Sequence, residues 1–523
     1  MAAVSSDLNM VRVTNKEFVK KAEACAPELY KTVVYPESVV EIRKTEEGRT
    51  EITKKAEIQN LSQYALKKGD RICLDFGDHQ VGYVTLRLKS VGSPQDAPAF
   101  FKLKFGENAR EITENSEEYD GWISKGWIQE EYLHVDVLPA ELRLPRRYAF
   151  RYLELQVIDT SVKWQLVMEE VFCTSVTSAC EDMAEPLKWG DQELKAIDKV
   201  SLRTLRNCMQ QVFEDGPKRD RRLWLGDLRL QALADYETYR NYNLVKRCLY
   251  LFAGQTKDNG QVSACLFTEP KLCADDTLLL DYSMFFGPVL LDYYQASGDM
   301  ETLCKLSRCA YRQMEIAKEW FDERNLMKNG KGFWAFVDWT EGLNKQTALQ
   351  GIYLYCMRRV KRIAELLGEE EKAAECSEEI KKKTEAAKKH LLDQDTGLFV
   401  SGEERQISYA SQVWMILGGA VTEDEGSELL DRLLELDPEK GMVSPYMNHH
   451  FVEALILCGR KQQALDYIRY YWGGMIRAGA DTFWELYNPQ NPSETPYGNG
   501  MVNSYCHAWS CTPAYLFRKY FDM

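Results

Sequence analysis

The densest run of residues able to do chemistry is Glu214-Asp215-Gly216-Pro217-Lys218-Arg219-Asp220-Arg221-Arg222-Leu223-Trp224-Leu225-Gly226-Asp227. Carboxylates set close together in a partly dry site repel one another, and the repulsion holds one of them protonated near neutral pH. Trp224 adds an aromatic plane of the kind that lines sugar sites. Structural readings compete: Asp227 as the N-cap of a following helix, and Asp220 as an ion-pair partner of Arg219 or Arg222. A second group is Asp481-Thr482-Phe483-Trp484-Glu485-Leu486-Tyr487, ahead of a loop (488–500) rich in Pro, Asn and Gly. A glutamate among aromatics beside a long loop fits a general base; the alternative is a surface glutamate at a helix end. Two further groups are Gly332-Phe333-Trp334-Ala335-Phe336-Val337-Asp338-Trp339 and Ser504-Tyr505-Cys506-His507-Ala508-Trp509. Their aromatics read as core or as sugar platforms, and His507 as structural or as a ligand contact. Two carboxylates on separate loops of one scaffold are the minimum for glycoside hydrolysis: one protonates the leaving oxygen, and the other activates water or attacks carbon.

Such loops need a scaffold, and the chain changes period to supply two. Up to about residue 175 the period is two. Val84, Leu86 and Leu88 face one side, with Thr85, Arg87 and Lys89 opposite; Phe101, Leu103 and Phe105 alternate with Lys102 and Lys104. With 133–138 and 151–158 as further strands, and loops at 91–99 and 114–128, this predicts an antiparallel β-sandwich over residues 1–175. After a linker at 176–190 the period turns helical. Helices are expected near 191–213, 227–252, 281–297, 300–323, 345–367, 369–391, 406–417, 424–436, 447–457, 461–477 and 500–521. Asp191 is a cap for the first, and Leu429, Leu430, Leu433, Leu434 and Leu436 form an apolar stripe in a later one, stopped by Pro438. No strand pattern intervenes and no fixed-length repeat recurs, so residues 191–523 are expected to form a closed barrel of helical hairpins rather than a solenoid.

Composition narrows the function. The 523 residues carry 66 Lys plus Arg against 80 Asp plus Glu, a net charge of −14. With no basic run, nucleic acid and anionic membranes are poor partners. No apolar stretch approaches the ~18 residues that span a bilayer, and the first residues lack the apolar segment of a secretory signal. The 15 cysteines include no C-x-x-C pair and read as reduced core residues of a cytoplasmic protein. Six histidines without an H-E-x-x-H pattern give no expected metal site.

The motifs together carry a resemblance. Asp215-Gly216-Pro217-Lys218-Arg219-Asp220 followed by Trp224-Leu225-Gly226-Asp227 resembles the D-[CG]-P-x-R-[DE]…W-x-G-D signature of bacterial α-L-rhamnosidases, glycoside hydrolase family 78. Phe336-Val337-Asp338-Trp339, Thr482-Phe483-Trp484-Glu485 and Ser504–Trp509 are similar to its later motifs, in the same order. Asp75-Phe76-Gly77, Val81-Gly82-Tyr83 and Phe105–Ala109 are similar to strands of its accessory sandwich. The resemblance implies an (α/α)6 barrel catalytic domain, hydrolysis with inversion, and no cofactor. It implies Asp220 as general acid and Glu485 as general base. Asp215 and Asp227 would bind rhamnose hydroxyls and stabilise positive charge; Arg219 would hold hydroxyls or orient a carboxylate; Trp224, Trp334, Trp339, Trp484 and His507 would line the sugar site. The chain ends soon after its last expected helix, so the C-terminal sandwich of larger members is expected to be missing. One position differs: the family commonly has glutamate as the acid, and Asp220 is one methylene shorter, so proton transfer requires a closer approach of loop or sugar.

The expected activity is removal of terminal α-L-rhamnose, or a related deoxy sugar, from a small glycoside. Two rivals differ in what they need. A phosphorylase would need a phosphate pocket in place of the base. A sugar-binding protein would keep the aspartates and tryptophans without turnover. Arg221 and Arg222 would favour an acidic neighbouring sugar if they faced the pocket. The aromatic residues Tyr119, Trp122 and Trp127 of the sandwich lie in a loop that either binds carbohydrate or reaches the barrel.

Overall fold

The computed structural model describes residues 9–46, 49–328 and 332–521. Ten strands in the first part join in one antiparallel sheet. Its spine is the strand Arg71–Gly92, which changes partner halfway. Residues 71–82 pair with Tyr148–Asp159, and residues 82–92 pair with Trp164–Thr177. The partner switch folds the sheet into two layers around one core. Val84, Leu86, Leu88, Phe101, Leu103 and Phe105 are buried in it, as the period-two pattern requires. Thr85 and Lys104 on the polar face are also buried; the short helix Ala109–Thr113 roofs Lys104, whose Nζ donates to the carbonyls of Ile112 and Glu114. The strand expected at 133–138 lies at Glu130–Val135.

The second part is a barrel of helical hairpins. Its inner ring is Leu225–Glu237, residues 280–297, Gln346–Leu367, Tyr409–Leu417, Pro445–Leu457 and residues 513–521. Gln192–Cys208, Tyr242–Gly254, Met300–Lys318, Glu370–His390, Glu423–Leu436 and Lys461–Arg477 lie outside. Successive inner helices pack on one another, and the last returns to the first. The sequence separates the rings. The inner helix Pro445–Leu457 is buried through Ile456 on every face, whereas the outer helix Glu423–Leu436 buries only a stripe. In that stripe Leu429, Leu430 and Leu433 are buried, each contributing roughly 1.5–3 kcal/mol. Leu436, expected to belong to it, is 48% exposed because the helix ends there in a left-handed turn at Asp437. Thr422 and Glu425 cap the other end reciprocally, an arrangement worth about 1 kcal/mol.

Three helix expectations change. Asp191 does cap the first barrel helix, but that helix stops at Cys208, where the chain turns into the Asp215 loop. The segment expected as one helix at 227–252 is two, because Arg240 takes a positive φ and Asn241 caps a new helix through the Leu244 N–H. Residues 500–521 are short 3-10 turns, then the helical turns Pro513–Leu516 and Phe517–Phe521. Among the described residues no helix is long and apolar enough to cross a membrane.

Candidate active site

The loop between the first two barrel helices is organised by Asp215. Its two carboxylate oxygens accept the backbone N–H groups of Arg222 and Asp220, both at 3.0 Å, so the loop is folded around a buried carboxylate. A side chain at Gly216 would lie 2.4 Å from the Arg219 carbonyl oxygen, and only glycine allows that closure. At the end of the loop Trp224 opens the helix Leu225–Glu237 without a side-chain cap. Asp227 is therefore not the N-cap; it lies in the first turn, buried, and accepts a hydrogen bond from the Tyr282 hydroxyl at 3.3 Å.

Arg219 joins the first motif to the third. Its Nη1 donates to Asp220 Oδ1 at 3.2 Å and its Nη2 pairs with Glu485 Oε2. Its Nε donates to the Val502 carbonyl at 2.8 Å, which fixes the guanidinium plane. One buried cation thus carries a carboxylate on each amino group. Glu485 is buried, whereas the Asp220 side chain keeps about a fifth of its surface exposed. The other Glu485 oxygen accepts from the Tyr497 hydroxyl. Glu485 is held by its backbone as well: its N–H donates to Ser504 and its carbonyl accepts from Trp509 Nε1, each at 3.0 Å. The Ser504 hydroxyl in turn donates to the Arg219 carbonyl at 2.7 Å, so the first, third and fourth motifs form one unit.

His507 lies between the aspartates, with Nε2 3.8 Å from Asp215 and Nδ1 3.8 Å from Asp227, too far for hydrogen bonds. Burial, then the Arg219 charge, hold the imidazole well below its usual pKa, so it is neutral. Burial, then Asp215, push Asp227 well above the usual carboxylate range. Burial, then Asp220, likewise raise Asp215. Burial raises Glu485, against the pull of Arg219 and Tyr497. Carboxyls shifted in this way by burial and by one another mark functional sites. Asp227 Oδ1, His507 Nδ1 and Trp339 Nε1 are buried without a hydrogen-bond partner.

The second motif supplies the aromatic wall. Asp281 accepts the N–H groups of Phe336 and Val337 and so sets that loop. Phe336 stacks on Trp509 at 5.5 Å, contacts Trp339 at 5.3 Å and Tyr282 at 6.0 Å, and Tyr282 meets Trp224 edge-on at 6.3 Å. Asp338 is a strut: it accepts from Thr340, Val443 and Ser444.

The structure thus brings Asp215, Arg219, Asp220, Trp224, Asp227, Trp339, Glu485 and His507 together. Two expected residues lie apart from the aromatic wall. Trp484 is buried against Tyr487 and Tyr505, with the Arg110 guanidinium over its ring, and shares no ring contact with the wall. Trp334 is half-buried, anchored through its carbonyl to the Leu280 N–H, and also has no ring contact with the wall. Arg221 faces the sandwich, where it donates to the Arg147 carbonyl at 2.9 Å, and Arg222 lies over the Phe267 ring. Tyr282 and Tyr497 were not anticipated. Nothing local marks them, because each matters through a residue far away in sequence.

The sandwich abuts this site. Lys218, next to Arg219, is buried in ion pairs with Glu111 at 2.6 Å and Glu107 at 3.3 Å. Among the described residues one group has metal-ligand geometry: His449, His450 and Glu453, deep in the barrel. His450 Nδ1 donates to the Tyr446 carbonyl, and its Nε2 accepts from Arg229 at 2.9 Å. A guanidinium already occupies the place of a cation there.

Residues 36–175 match the glycosyl hydrolase family 78 alpha-rhamnosidase N-terminal domain, and residues 185–521 match the bacterial alpha-L-rhamnosidase 6 hairpin glycosidase domain. The chain belongs to the family 78 α-L-rhamnosidases. Among solved structures, a rhamnosidase from Klebsiella oxytoca with rhamnose bound is 43% identical, with a TM-score of 0.95 over 98% of this chain and 99% of that one. A family 78 rhamnosidase of Bacillus sp. GL1 shares the fold at 22% identity and a TM-score of 0.72, over 86% of this chain and 46% of that one. No curated protein matches the chain. The family 78 architecture, an antiparallel sheet domain followed by a six-hairpin barrel, is the one described above, and the four motifs meet where its helices give way to loops.

Proposed function

We propose that this glycoside hydrolase, an α-L-rhamnosidase, removes terminal rhamnose from small glycosides with inversion at the anomeric carbon. Asp220 protonates the departing glycosidic oxygen while Glu485 takes a proton from a water on the opposite face. The observation that carries this reading is the Arg219 guanidinium with Asp220 on one amino group and Glu485 on the other. It ties both carboxylates to one cation in a fixed relation, and its charge works against burial toward the ionised Glu485 that a base requires. The exposed side of Asp220 suits a group that must reach the leaving oxygen. Buried Asp227 Oδ1, His507 Nδ1 and Trp339 Nε1 have hydrogen-bonding capacity to spare, and sugar hydroxyls satisfy such groups. The apolar face of a deoxy sugar suits the Phe336, Trp339 and Trp509 rings. The rhamnose bound by the Klebsiella relative supports the choice of sugar.

We also place the protein in the reducing cytoplasm. In support, all 15 cysteines are free thiols, including Cys208 and Cys506, whose sulfurs lie 4.0 Å apart. A thiol count well below 15 in natively isolated protein would argue otherwise. The test of the mechanism is turnover of an aryl α-L-rhamnoside by Asp220→Asn and Glu485→Gln. Each is expected to lose about 10²–10⁴-fold in kcat. Wild-type turnover by either removes that residue from its role.

A further inference from the structure

The loop that carries Tyr497 is held by the other domain. Trp122, from the sandwich loop 114–128, donates through Nε1 to the Pro496 carbonyl at 2.8 Å and through its backbone N–H to the Tyr497 carbonyl at 3.3 Å. The Trp122 and Tyr497 rings lie 5.8 Å apart. Asn499 Nδ2 donates to Asp120 at 3.4 Å, and a side chain at Gly498 would touch the Gly121 backbone at 3.7 Å. The two loops therefore run against each other over several residues. Tyr497 is itself buried, with the Arg219 guanidinium 4.1 Å above its ring centre and its hydroxyl on Glu485 Oε1. Trp122 remains 52% exposed, so its contacts with this loop, not burial in a core, are what it contributes.

We propose that Tyr497 is the positioning residue that aims the Glu485 carboxylate, and that Trp122 fixes Tyr497 for this task, making the sandwich domain part of the catalytic apparatus. The inference rests on Glu485 being the general base. The geometry divides the work. Arg219 holds one carboxylate oxygen and Tyr497 the other, so Glu485 has neither rotation nor translation left, and Oε1 is set by a neutral donor. A donor to a carboxylate favours its charged form, and burial keeps the Tyr497 phenol protonated and able to donate. The charged or titratable groups facing Glu485 are Arg219 and Asp220 from the first motif, Asp227 from the helix Leu225–Glu237, and Tyr497. Of these, Tyr497 and Arg219 stabilise the ionised base.

Tyr497→Phe keeps the ring and removes only the donor. Measured as kcat/KM against pH with an aryl α-L-rhamnoside, its acid limb is expected to move up by about one pH unit. Its kcat is expected to fall about tenfold with KM within about twofold. Trp122→Ala is expected to move the same limb in the same direction by less, and to add nothing in the Tyr497→Phe background. An acid limb and kcat unchanged in Tyr497→Phe would overturn the role of Tyr497. A Trp122→Ala loss of equal size in both backgrounds would overturn its route through Tyr497. If Tyr497→Phe does not fold, the limb of Trp122→Ala alone decides: it moves or the proposal fails. Glu485→Gln run alongside separates this inference from the one beneath it. Inactive Glu485→Gln with an unmoved Tyr497→Phe limb breaks only the present inference, whereas active Glu485→Gln breaks the base assignment itself.

Discussion

Glu453 and Glu485 lie in the same barrel, each 6% exposed, and burial ends differently for them. Glu453 stands on the inner helix Pro445–Leu457, with His449 at 3.3 Å and Arg229 at 3.6 Å. Burial pushes its carboxyl up, but His449 and Arg229 outweigh the cost and hold it well below the usual range. Glu485 stands in a loop segment, where burial wins over Arg219 and Tyr497 and its carboxyl stays above the usual range. Arg229 serves chiefly the inner cluster, donating to His450 and Tyr355 as well. Arg219 is divided between two carboxylates, and further aspartates stand near it. The inner cluster is a neutralised structural joint. The loop cluster is left with carboxyls of raised proton affinity, the state in which acid–base chemistry is available near neutral pH.

If the comparison is right, the two glutamates fail in opposite ways. The largest expected effect is on turnover: Glu485→Gln loses about 10²–10⁴-fold in kcat with no fall in Tm, checked by initial rates and calorimetry. Glu453→Gln leaves Arg229 buried without its carboxylate and is expected to cost ~3–5 kcal/mol in urea denaturation, with kcat per folded molecule nearly unchanged. A stable Glu453→Gln or an unstable Glu485→Gln breaks the distinction.

The pH dependence sharpens it. The folded pKa of Glu453 is depressed, so its contribution is present above the unfolded value of about 4.3 and is lost as pH falls through the folded value. The folded pKa of Asp227 is raised, so its contribution is present below the unfolded value of about 3.9 and is lost as pH rises through the folded value. Asp227→Asn is therefore expected to gain ~1–2 kcal/mol over wild type at pH 8 and little at pH 4 while losing substrate affinity. Glu453→Gln, in contrast, approaches wild-type stability as the pH falls. Denaturation series at both pH values check the pair. An Asp227→Asn that is less stable than wild type at pH 8 places Asp227 with the structural joints.

The smallest expected effects concern two tryptophans. Trp339→Phe is expected to raise KM about threefold by removing its free N–H donor, and Trp484→Phe to cost ~1 kcal/mol of stability with KM unchanged. Reversal of the two would return Trp484 to the sugar site.

The sequence makes the loop cluster far more legible than the inner one. Gly216-Pro217 interrupts a helical pattern, and the charges around it have no apolar face to complement, so the segment announces itself. Arg229, His449, His450 and Glu453 sit within helical periods where a polar residue reads as solvent-facing. Their burial follows from the inner position of their helices, a property of the closed ring and of no single helix. Trp484 neighbours Glu485 in sequence, yet its ring packs on Tyr487 and Tyr505, a placement that adjacency in sequence does not reveal. Tyr497 was passed over because a tyrosine in a Pro- and Asn-rich loop carries no pattern; its partners, Arg219, Trp122 and Glu485, come from three distant segments. The strand and helix periods were readable where one face is buried. They failed at 240, where an Asn cap starts a new helix without a proline or glycine to signal it, and at 500–521, where Pro513 starts a separate helical turn inside the segment expected as one helix.

The most direct test of the two-carboxylate account is proton NMR of the first sugar released from an aryl α-L-rhamnoside, recorded before mutarotation. The account predicts β-rhamnose as the initial product, α appearing only as the anomers equilibrate. Initial α-rhamnose would mean retention through a covalent intermediate, and would contradict the assignment of Glu485 as the base acting on water.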